Sequence, residues 1–165
     1  MQSRLQPALF GGLFIGVLSA LPFVNVANCC CCLWVVAGGV LAAYLRQQAS
    51  PFSIPASEGA LIGLMAGFLG GIVGSILSIP MEAIMGPLQE RLLGWMIASG
   101  AEIPEELREM MQQRASAAGR LVGMVFTTII YTIFGMLGGL LGVAMFKKNV
   151  PPPPPPGTVD VLPPE

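Results

Sequence analysis

Residues 59–81 read GALIGLMAGFLGGIVGSILSIPM and carry no charged side chain. A helix needs about 20 apolar residues to cross the hydrocarbon core of a bilayer, so this stretch predicts a membrane-spanning helix. Every fourth residue along it is small, in the row Gly59, Gly63, Gly67, Gly71 and Ser75. Small side chains let another backbone approach closely inside a membrane, so the row predicts a helix-packing face. That face fits a helix of the same bundle, another subunit or a second copy, and the spacing leaves these partners open.

Two more spans are predicted ahead of this stretch. The 41 residues between Arg4 and Arg46 contain no Asp, Glu, Lys or Arg. That length accommodates two helices, which we place at about 6–24 and 28–45. Turn-compatible Pro and Asn residues near the middle of the segment predict the connection between them.

A fourth span is predicted at about 121–146, closed by two lysines. Gly135 and Gly139 repeat the four-residue spacing of small residues there, so this helix also has a packing face. The chain is therefore predicted to be an all-α integral membrane protein. Residues 1–148 form one domain of four transmembrane helices, arranged as two hairpins.

The segment between the third and fourth spans holds most of the remaining charge, with six Glu and four Arg in residues 82–120. It predicts an excursion of two amphipathic helices, at about 87–99 and 104–118. Trp95 suits the membrane–water interface and is a candidate anchor. The helices fit either the lipid surface or a solvated hairpin, since periodicity does not separate the two. Residues 149–165 form a Pro-rich tail, whose six-proline run favours polyproline II.

The composition excludes most enzyme classes. The chain is 54% hydrophobic and only 10% charged, whereas a soluble domain carries roughly 25% charged residues. Histidine is absent, which removes the commonest metal ligand and the usual general base near neutral pH. A net charge of −1 provides no basic surface for nucleic acid. The sequence therefore predicts a protein that is not an enzyme and has no nucleic-acid partner.

Four consecutive cysteines, from Cys29 to Cys32, open the second span. Neighbouring residues of a helix turn by about 100°, so four in a row do not converge on one tetrahedral metal ion. Cys29 and Cys32 alone share a face, and they are the candidates for a thiol site that binds metal or does redox chemistry. The other interpretations are small apolar packing residues, acylation, and a bridge to a partner chain.

A few polar side chains interrupt the fourth span. Thr128, Tyr131 and Thr132 either hydrogen-bond to other helices or line a narrow polar path. The four spans contain no ionisable Asp, Glu, Lys or Arg of the kind that ion-coupled transporters place within the membrane. A passive path is therefore the form of transport that this sequence can accommodate.

Four spans place both termini on the same side of the membrane. The positive-inside rule is balanced, with four Lys or Arg residues on each side. One side has Arg4, Arg46, Lys147 and Lys148, and the other has Arg91, Arg108, Arg114 and Arg120. We predict a multi-pass protein of the cell (inner) membrane with both termini in the cytoplasm, because the first group lies at the ends of short segments with little Glu nearby.

Two stretches resemble small prokaryotic multi-pass membrane proteins. They read PALFGGLFIGVLSALPFVNVANCCCCLWVVAGGVLAAYL and SEGALIGLMAGFLGGIVGSILSIP, and they cover roughly the first 80 residues. The resemblance lies in the Asn- and Cys-rich turn, the tryptophan after it, and the Glu-Gly-Ala entry to the third helix. It implies a prokaryotic membrane protein and no particular activity. Several of the similar chains begin with a zinc-ribbon module that this sequence lacks.

The function predicted from these features is that of a non-catalytic accessory or scaffolding subunit, docked in a larger membrane complex through its small-residue helix faces. A passive pore or small-solute transporter made of several copies is one alternative. A thiol-dependent metal or redox protein is the other. The predicted partners are membrane lipids, other membrane subunits and further copies of the chain. No cofactor is predicted, although a lipid or pigment held by shape alone is compatible with the sequence.

Overall fold

The computed structural model describes residues 4–21, 24, 28, 32–100, 104–106, 109 and 116–148. Within these residues the long elements are all helical, and no strand occurs. They are α1 (Leu5–Ala20), α2 (Leu33–Ala49), α3 (Ala56–Ala98) and α4 (Ala117–Met145). The predicted all-α class is therefore confirmed for the described residues. Most of the predicted helix at 104–118, the Pro-rich tail at 149–165 and Cys29 lie outside them.

The first two helices are shorter than predicted at their facing ends. α1 ends at Ala20, where Leu21 is extended with ψ 120°, although the predicted span continues to 24. α2 begins at Leu33 rather than near 28, and its N-cap Cys32 has a left-handed backbone with φ 51°. The connection between α1 and α2 is therefore longer than predicted. A run without charged residues marks an apolar segment, but it does not mark where a helix ends.

α3 is one helix where the sequence suggested two. It runs for 43 residues through Pro80 and Pro87, so residues 87–98 of the predicted amphipathic helix continue the third span. Each proline removes one backbone donor and usually kinks or ends a helix. Helix-breaking residues are tolerated in membrane helices, because ordered helical backbone is strongly favoured where water is absent. Near Pro80, the Ser75 and Ser78 hydroxyls donate to the carbonyls of Gly71 and Ser75.

α4 begins at Ala117, four residues before the predicted start, and ends at Met145. The Ser116 side chain caps it by accepting a hydrogen bond from the Gly119 N–H at 3.0 Å. Serine is a preferred N-cap residue because its oxygen satisfies a backbone donor that lacks a partner in the helix. Only the exact ends of this helix therefore differ from the prediction.

The helices pack side by side, and α3 makes the largest interfaces, with α4 and with α1. α2 packs against α4 and α1 and also approaches α3. The main buried cluster draws on α1, α2 and α3, and contains Ala8, Ile15, Val35, Ala42, Ile62 and Ala66. Several members of this cluster are alanine, so few side-chain atoms separate the helices, and the helix axes lie close together.

Two helices, Ala56–Ala98 and Ala117–Met145, are long and apolar enough to cross a membrane. α1 is apolar but has 16 residues, which is about 24 Å of helix. Length and composition within the described residues therefore identify two candidate spans rather than the four predicted.

Candidate functional site

The predicted small-residue row of α3 lies against α4. A Cβ added at Gly63 would overlap the carbonyl oxygen of Gly135, and one added at Gly67 would overlap that of Tyr131. A Cβ at Gly71 would lie 2.8 Å from the Thr128 Cα. These neighbours are backbone atoms that cannot rotate aside. Only glycine therefore fits this part of the α3–α4 contact.

Glycines of α4 face this row and are packed just as closely. A Cβ at Gly135 would lie 2.6 Å from the carbonyl oxygen of Gly63, and one at Gly139 would overlap that of Gly59. The structure thus brings Gly59, Gly63, Gly67 and Gly71 together with Gly135 and Gly139. Ser75 is placed differently, since its hydroxyl donates to the Gly71 carbonyl of its own helix at 2.7 Å.

Other glycines serve the remaining interfaces. A Cβ at Gly12 of α1 would lie 2.8 Å from the Leu69 Cβ of α3, and one at Gly11 would lie 2.7 Å from the carbonyl oxygen of Gly38 on α2. A Cβ at Gly39 of α2 would overlap the Gly135 carbonyl oxygen of α4. The chain's own helices therefore occupy these small-residue faces.

A polar cluster joins three helices near Asn28. The Asn28 side-chain amide donates to the Ser19 hydroxyl of α1 at 2.9 Å and to the Tyr131 hydroxyl of α4 at 3.3 Å. Its carbonyl oxygen accepts from the backbone N–H of Trp34 at 3.2 Å, in the first turn of α2. The Trp34 indole donates to the carbonyl of Val24 at 2.7 Å. These bonds hold the connection between α1 and α2 against the bundle.

The hydroxyls of the predicted polar path bond in two different ways. Those of Thr128 and Thr132 donate to the carbonyls four residues earlier, Met124 and Thr128, at 2.8 and 2.7 Å. Such bonds satisfy a hydroxyl within its own helix. Tyr131 instead reaches the Asn28 cluster. The three residues thus do not share one hydrogen-bonded line.

The described half of the candidate thiol pair is Cys32, which is half-buried beside the main core cluster. Its carbonyl accepts from the N–H groups of Val35 and Val36, at 2.9 and 3.0 Å, which starts α2. Cys29 lies outside the described residues, so the pair remains a prediction. In the described part of the chain, no three His, Cys, Asp or Glu side chains group as metal ligands would.

A charged cluster closes the opposite end of the bundle. The Glu58 Oε1 receives the Nε and Nη2 of Arg46, each at 2.8 Å, and lies 3.6 Å from the Arg4 Nε. The Arg46 and Glu58 side chains are only 16% and 14% exposed. This contact links the start of α1, the end of α2 and the start of α3. The sequence did not predict this contact. Arg4 and Glu58 lie 42 and 12 positions from Arg46, and no local sequence pattern indicates that residues so far apart are paired.

Gln47 is a second residue that the sequence did not single out. It is 1% exposed, donates to the Phe52 carbonyl at 3.0 Å and accepts from the Ile54 N–H at 3.0 Å. It thereby binds the loop between α2 and α3. Nearby, the Lys148 ammonium donates to the Ser50 carbonyl at 2.7 Å. A glutamine at a helix end looks like any surface residue in the sequence, so nothing there marks Gln47 as buried.

The last third of α3 extends beyond the close glycine contacts that α3 makes with α1 and α4. Glu82 pairs with Arg120 of α4 at 3.5 Å, and both side chains are 57% exposed. Past this pair, the predicted anchor Trp95 is 70% exposed. The other large apolar side chains exposed there are Ile84, Leu88, Leu92, Met96 and Ile97. We call residues 83–98 the α3 arm.

Comparison with known proteins identifies a family and no individual relative. A family model described as the MJ1491 transmembrane domain matches residues 5–149. That range runs from the first residue of α1 to just past the end of α4. No curated protein and no solved structure matches the chain. The predicted membrane character, and with it contact with lipids, is confirmed at this level.

Proposed function

The chain belongs to the MJ1491 transmembrane domain family, and we propose that it is a non-catalytic accessory or scaffolding subunit of a larger membrane protein complex. The observation that carries the proposal is the exposed apolar surface of the α3 arm. The arm replaces the small-residue faces as the docking surface, because the chain's own helices fill those faces. A sequence without histidine supports the absence of catalysis.

In this proposal all four helices cross the membrane, as two hairpins. Glu58 and Glu82 mark two charged levels on α3, which are 24 residues or about 36 Å apart. That separation fits a hydrocarbon core of about 30 Å with its interfaces. Between the levels, large apolar side chains face outward, among them Phe10, Phe68 and Ile129. These side chains suit a lipid environment.

The proposed orientation is based on the residues near the first level, although Lys and Arg are equally numerous in the segment after the third span. Arg4, Arg46, Lys147 and Lys148 all lie at this end of the described bundle, and Glu58 is the one described acidic residue among them. Positive residues next to short membrane segments favour the cytoplasmic side. Both termini are therefore assigned to the cytoplasm of the cell (inner) membrane.

The arm begins where the second level ends. From Glu82 to Ala98 the helix extends by about 24 Å. No described residue covers Ile84, Leu88, Leu92 or Trp95 there. Monomeric proteins rarely leave contiguous apolar surface exposed outside the membrane, and large patches mark interaction sites. Exposed tryptophan is a frequent centre of binding energy at interfaces. A membrane-associated subunit that packs on the arm accounts for both features.

The two alternative functions receive less support. A pore needs a continuous polar path, whereas the hydroxyls of Thr128 and Thr132 bond within α4. A thiol-dependent function rests on Cys29 as well as Cys32, and remains a prediction from sequence. Neither alternative explains the apolar arm.

The proposal is tested by purification at native expression in a gentle detergent, followed by native mass spectrometry. We expect a stoichiometric foreign subunit to accompany the chain. Trp95→Ala, on the arm, is expected to lose it. Phe10→Ala, at an exposed apolar position of α1 between the charged levels, is the matched control and keeps it. A lone monomer, a homo-oligomer, or equal retention by both variants would refute the arm as the docking surface.

A further inference from the structure

The end of the bundle at the first charged level is strongly basic. Its described ionisable residues are Arg4, Arg46, Lys147 and Lys148 against Glu58 alone. The other end is different. There, Arg120 pairs with Glu82, and the other described ionisable residues of this part of the chain are Arg91, Glu90, Glu105, Glu106 and Glu109. Counted over the described residues, the two charged levels therefore carry net charge of opposite sign.

The single carboxylate at the basic end balances only one of the cations. Glu58 Oε1 lies 2.8 Å from two nitrogens of Arg46, and Arg4 approaches the same oxygen only to 3.6 Å. Arg4 is 54% exposed. The Lys148 ammonium bonds to the Ser50 carbonyl, which is a neutral acceptor and leaves its positive charge in place. Lys147 is exposed.

Helix dipoles account for some of these charges but not for Arg4. Arg46 lies in the last turn of α2, and Lys147 and Lys148 follow the end of α4, where positive charge is favourable. Arg4 is the N-cap of α1, where the helix end is itself positive, and its side chain makes no capping bond. A cation at that position is favourable only beside an anion. The described anion near Arg4 is Glu58, which lies closer to Arg46 and is shared with it, so Arg4 has room for a further anion.

The position of the cations indicates which anion this is. Leu5 follows Arg4 directly, Leu9 lies about one helical turn further along α1, and both are exposed. Exposed Met145 lies two residues before Lys147. The charges therefore sit at the edge of the apolar belt, at the height of lipid head groups. Anionic lipids attract basic residues next to a membrane helix, and each Lys or Arg near the surface adds to the attraction.

We infer that this end binds acidic phospholipids, with Arg4, Lys147 and Lys148 contacting the phosphate groups of the head groups. Arg46 stays paired with Glu58 and supports the site from beneath. The inference rests on the membrane placement proposed above, with this end at the bilayer surface, and does not depend on the accessory-subunit role. It also predicts a preference for the leaflet that is richer in anionic lipid.

The test uses the full chain in nanodiscs of phosphatidylcholine, with and without phosphatidylglycerol, and counts phosphatidylglycerol retained per chain by native mass spectrometry after detergent exchange. The wild type is expected to retain phosphatidylglycerol selectively. The double variant Arg4→Gln/Lys147→Gln removes two exposed cations and should lower the apparent affinity by about 30-fold. The control Arg91→Gln/Arg120→Gln removes two cations from the other end and should retain the lipid.

Two further measurements make the result decisive. Raising the salt concentration should weaken retention by the wild type, since exposed charges are screened. Soluble inorganic phosphate should not displace the lipid. Equal retention by the two double variants, or displacement by phosphate alone, would overturn the inference. Circular dichroism of each variant checks that its helices are intact.

Discussion

The two parts of α3 both contain many large apolar side chains but have very different surroundings. Residues 56–79 lie between α1 and α4, and most of the glycines there sit directly against backbone or Cβ atoms of a neighbour. Residues 83–98 belong to the same helix, yet Gly86 and Gly94 have no atom within 4 Å of an added Cβ. Apolarity alone therefore does not determine packing. The placement of small residues against a partner helix does.

The ion pairs at the two levels repeat this contrast. Arg46 and Glu58, beside the packed half, are 2.8 Å apart and largely shielded from solvent. Arg120 and Glu82, where the arm begins, are 3.5 Å apart and mostly exposed. The packed half is held by close contacts over its whole length, while the second half has few internal contacts to lose. Paired substitutions in the two regions test this difference directly.

The largest contrast is expected between Gly67→Ala and Gly94→Ala. At Gly67 the new methyl overlaps the Tyr131 carbonyl, and overpacking of this kind costs typically 1–3 kcal/mol, which we take as a rough lower bound here because backbone must move. At Gly94 the methyl meets nothing, and alanine favours a helix interior over glycine by about 0.5–1 kcal/mol. Reversible unfolding in mixed detergent micelles measures both free energies.

Gly74→Ala is the control within the packed half. Its added methyl would lie 3.6 Å from the Cα of Gly16, an ordinary contact, so the variant should resemble Gly94→Ala, with a gain of about 0.5–1 kcal/mol and no loss. If all three alanine variants lose stability equally, close backbone approach is not what distinguishes the halves.

The second contrast concerns the loop that leads into the packed half. Gln47→Ala leaves the Ile54 N–H and the Phe52 carbonyl without their partner in a buried site. An unsatisfied buried polar group costs about 1–3 kcal/mol. Gln48→Ala, at the exposed neighbouring position, should change the unfolding free energy by less than about 0.5 kcal/mol. Similar losses for both variants would mean that the buried hydrogen bonds of Gln47 do not stabilise this loop.

The sequence predicted much of this arrangement, because apolar runs and four-residue spacing are local properties. The positions of Gly59 to Gly71 on one helix face follow from 3.6 residues per turn. Their partner does not follow, since close packing on α4 and on a foreign helix need the same spacing. Structure was required to show that α4 occupies the face.

Other features were not predictable because they depend on distant residues or on a balance of local rules. Asn28 looks like a turn residue, and its bond to Tyr131 joins positions 103 residues apart. Pro80 usually ends a helix, yet α3 continues through it. The extra length of α3 is also what creates the arm. The sequence predicted this segment as a separate amphipathic helix with Trp95 as an anchor, and did not predict that it continues the third helix.

A third prediction compares the ion pairs. Glu58→Gln removes the charge that faces two nitrogens of Arg46 and also lies near Arg4, so it leaves two cations together. Hydrogen bonds to charged groups contribute roughly 1.5–3 kcal/mol, and we expect a loss near the lower end because the pair is still partly exposed. The loss should persist at high salt, since shielded pairs are screened less. If the loss disappears at high salt, the Glu58 carboxylate is exposed to solvent and not shielded.

The smallest effect is expected at Glu82→Gln, which breaks the exposed pair with Arg120. Exposed ion pairs contribute about 0–1 kcal/mol, because water already solvates both charges and holding two long side chains costs entropy. Added salt should remove even this difference between the variant and the wild type. A loss as large as that of Glu58→Gln would mean that something shields this pair. In the native membrane that outcome would itself be informative, since a subunit packed on the α3 arm would shield Glu82 and would be absent from the purified chain. Measuring Glu82→Gln both in isolation and in the extracted complex therefore separates an arm that is bare from one that is covered.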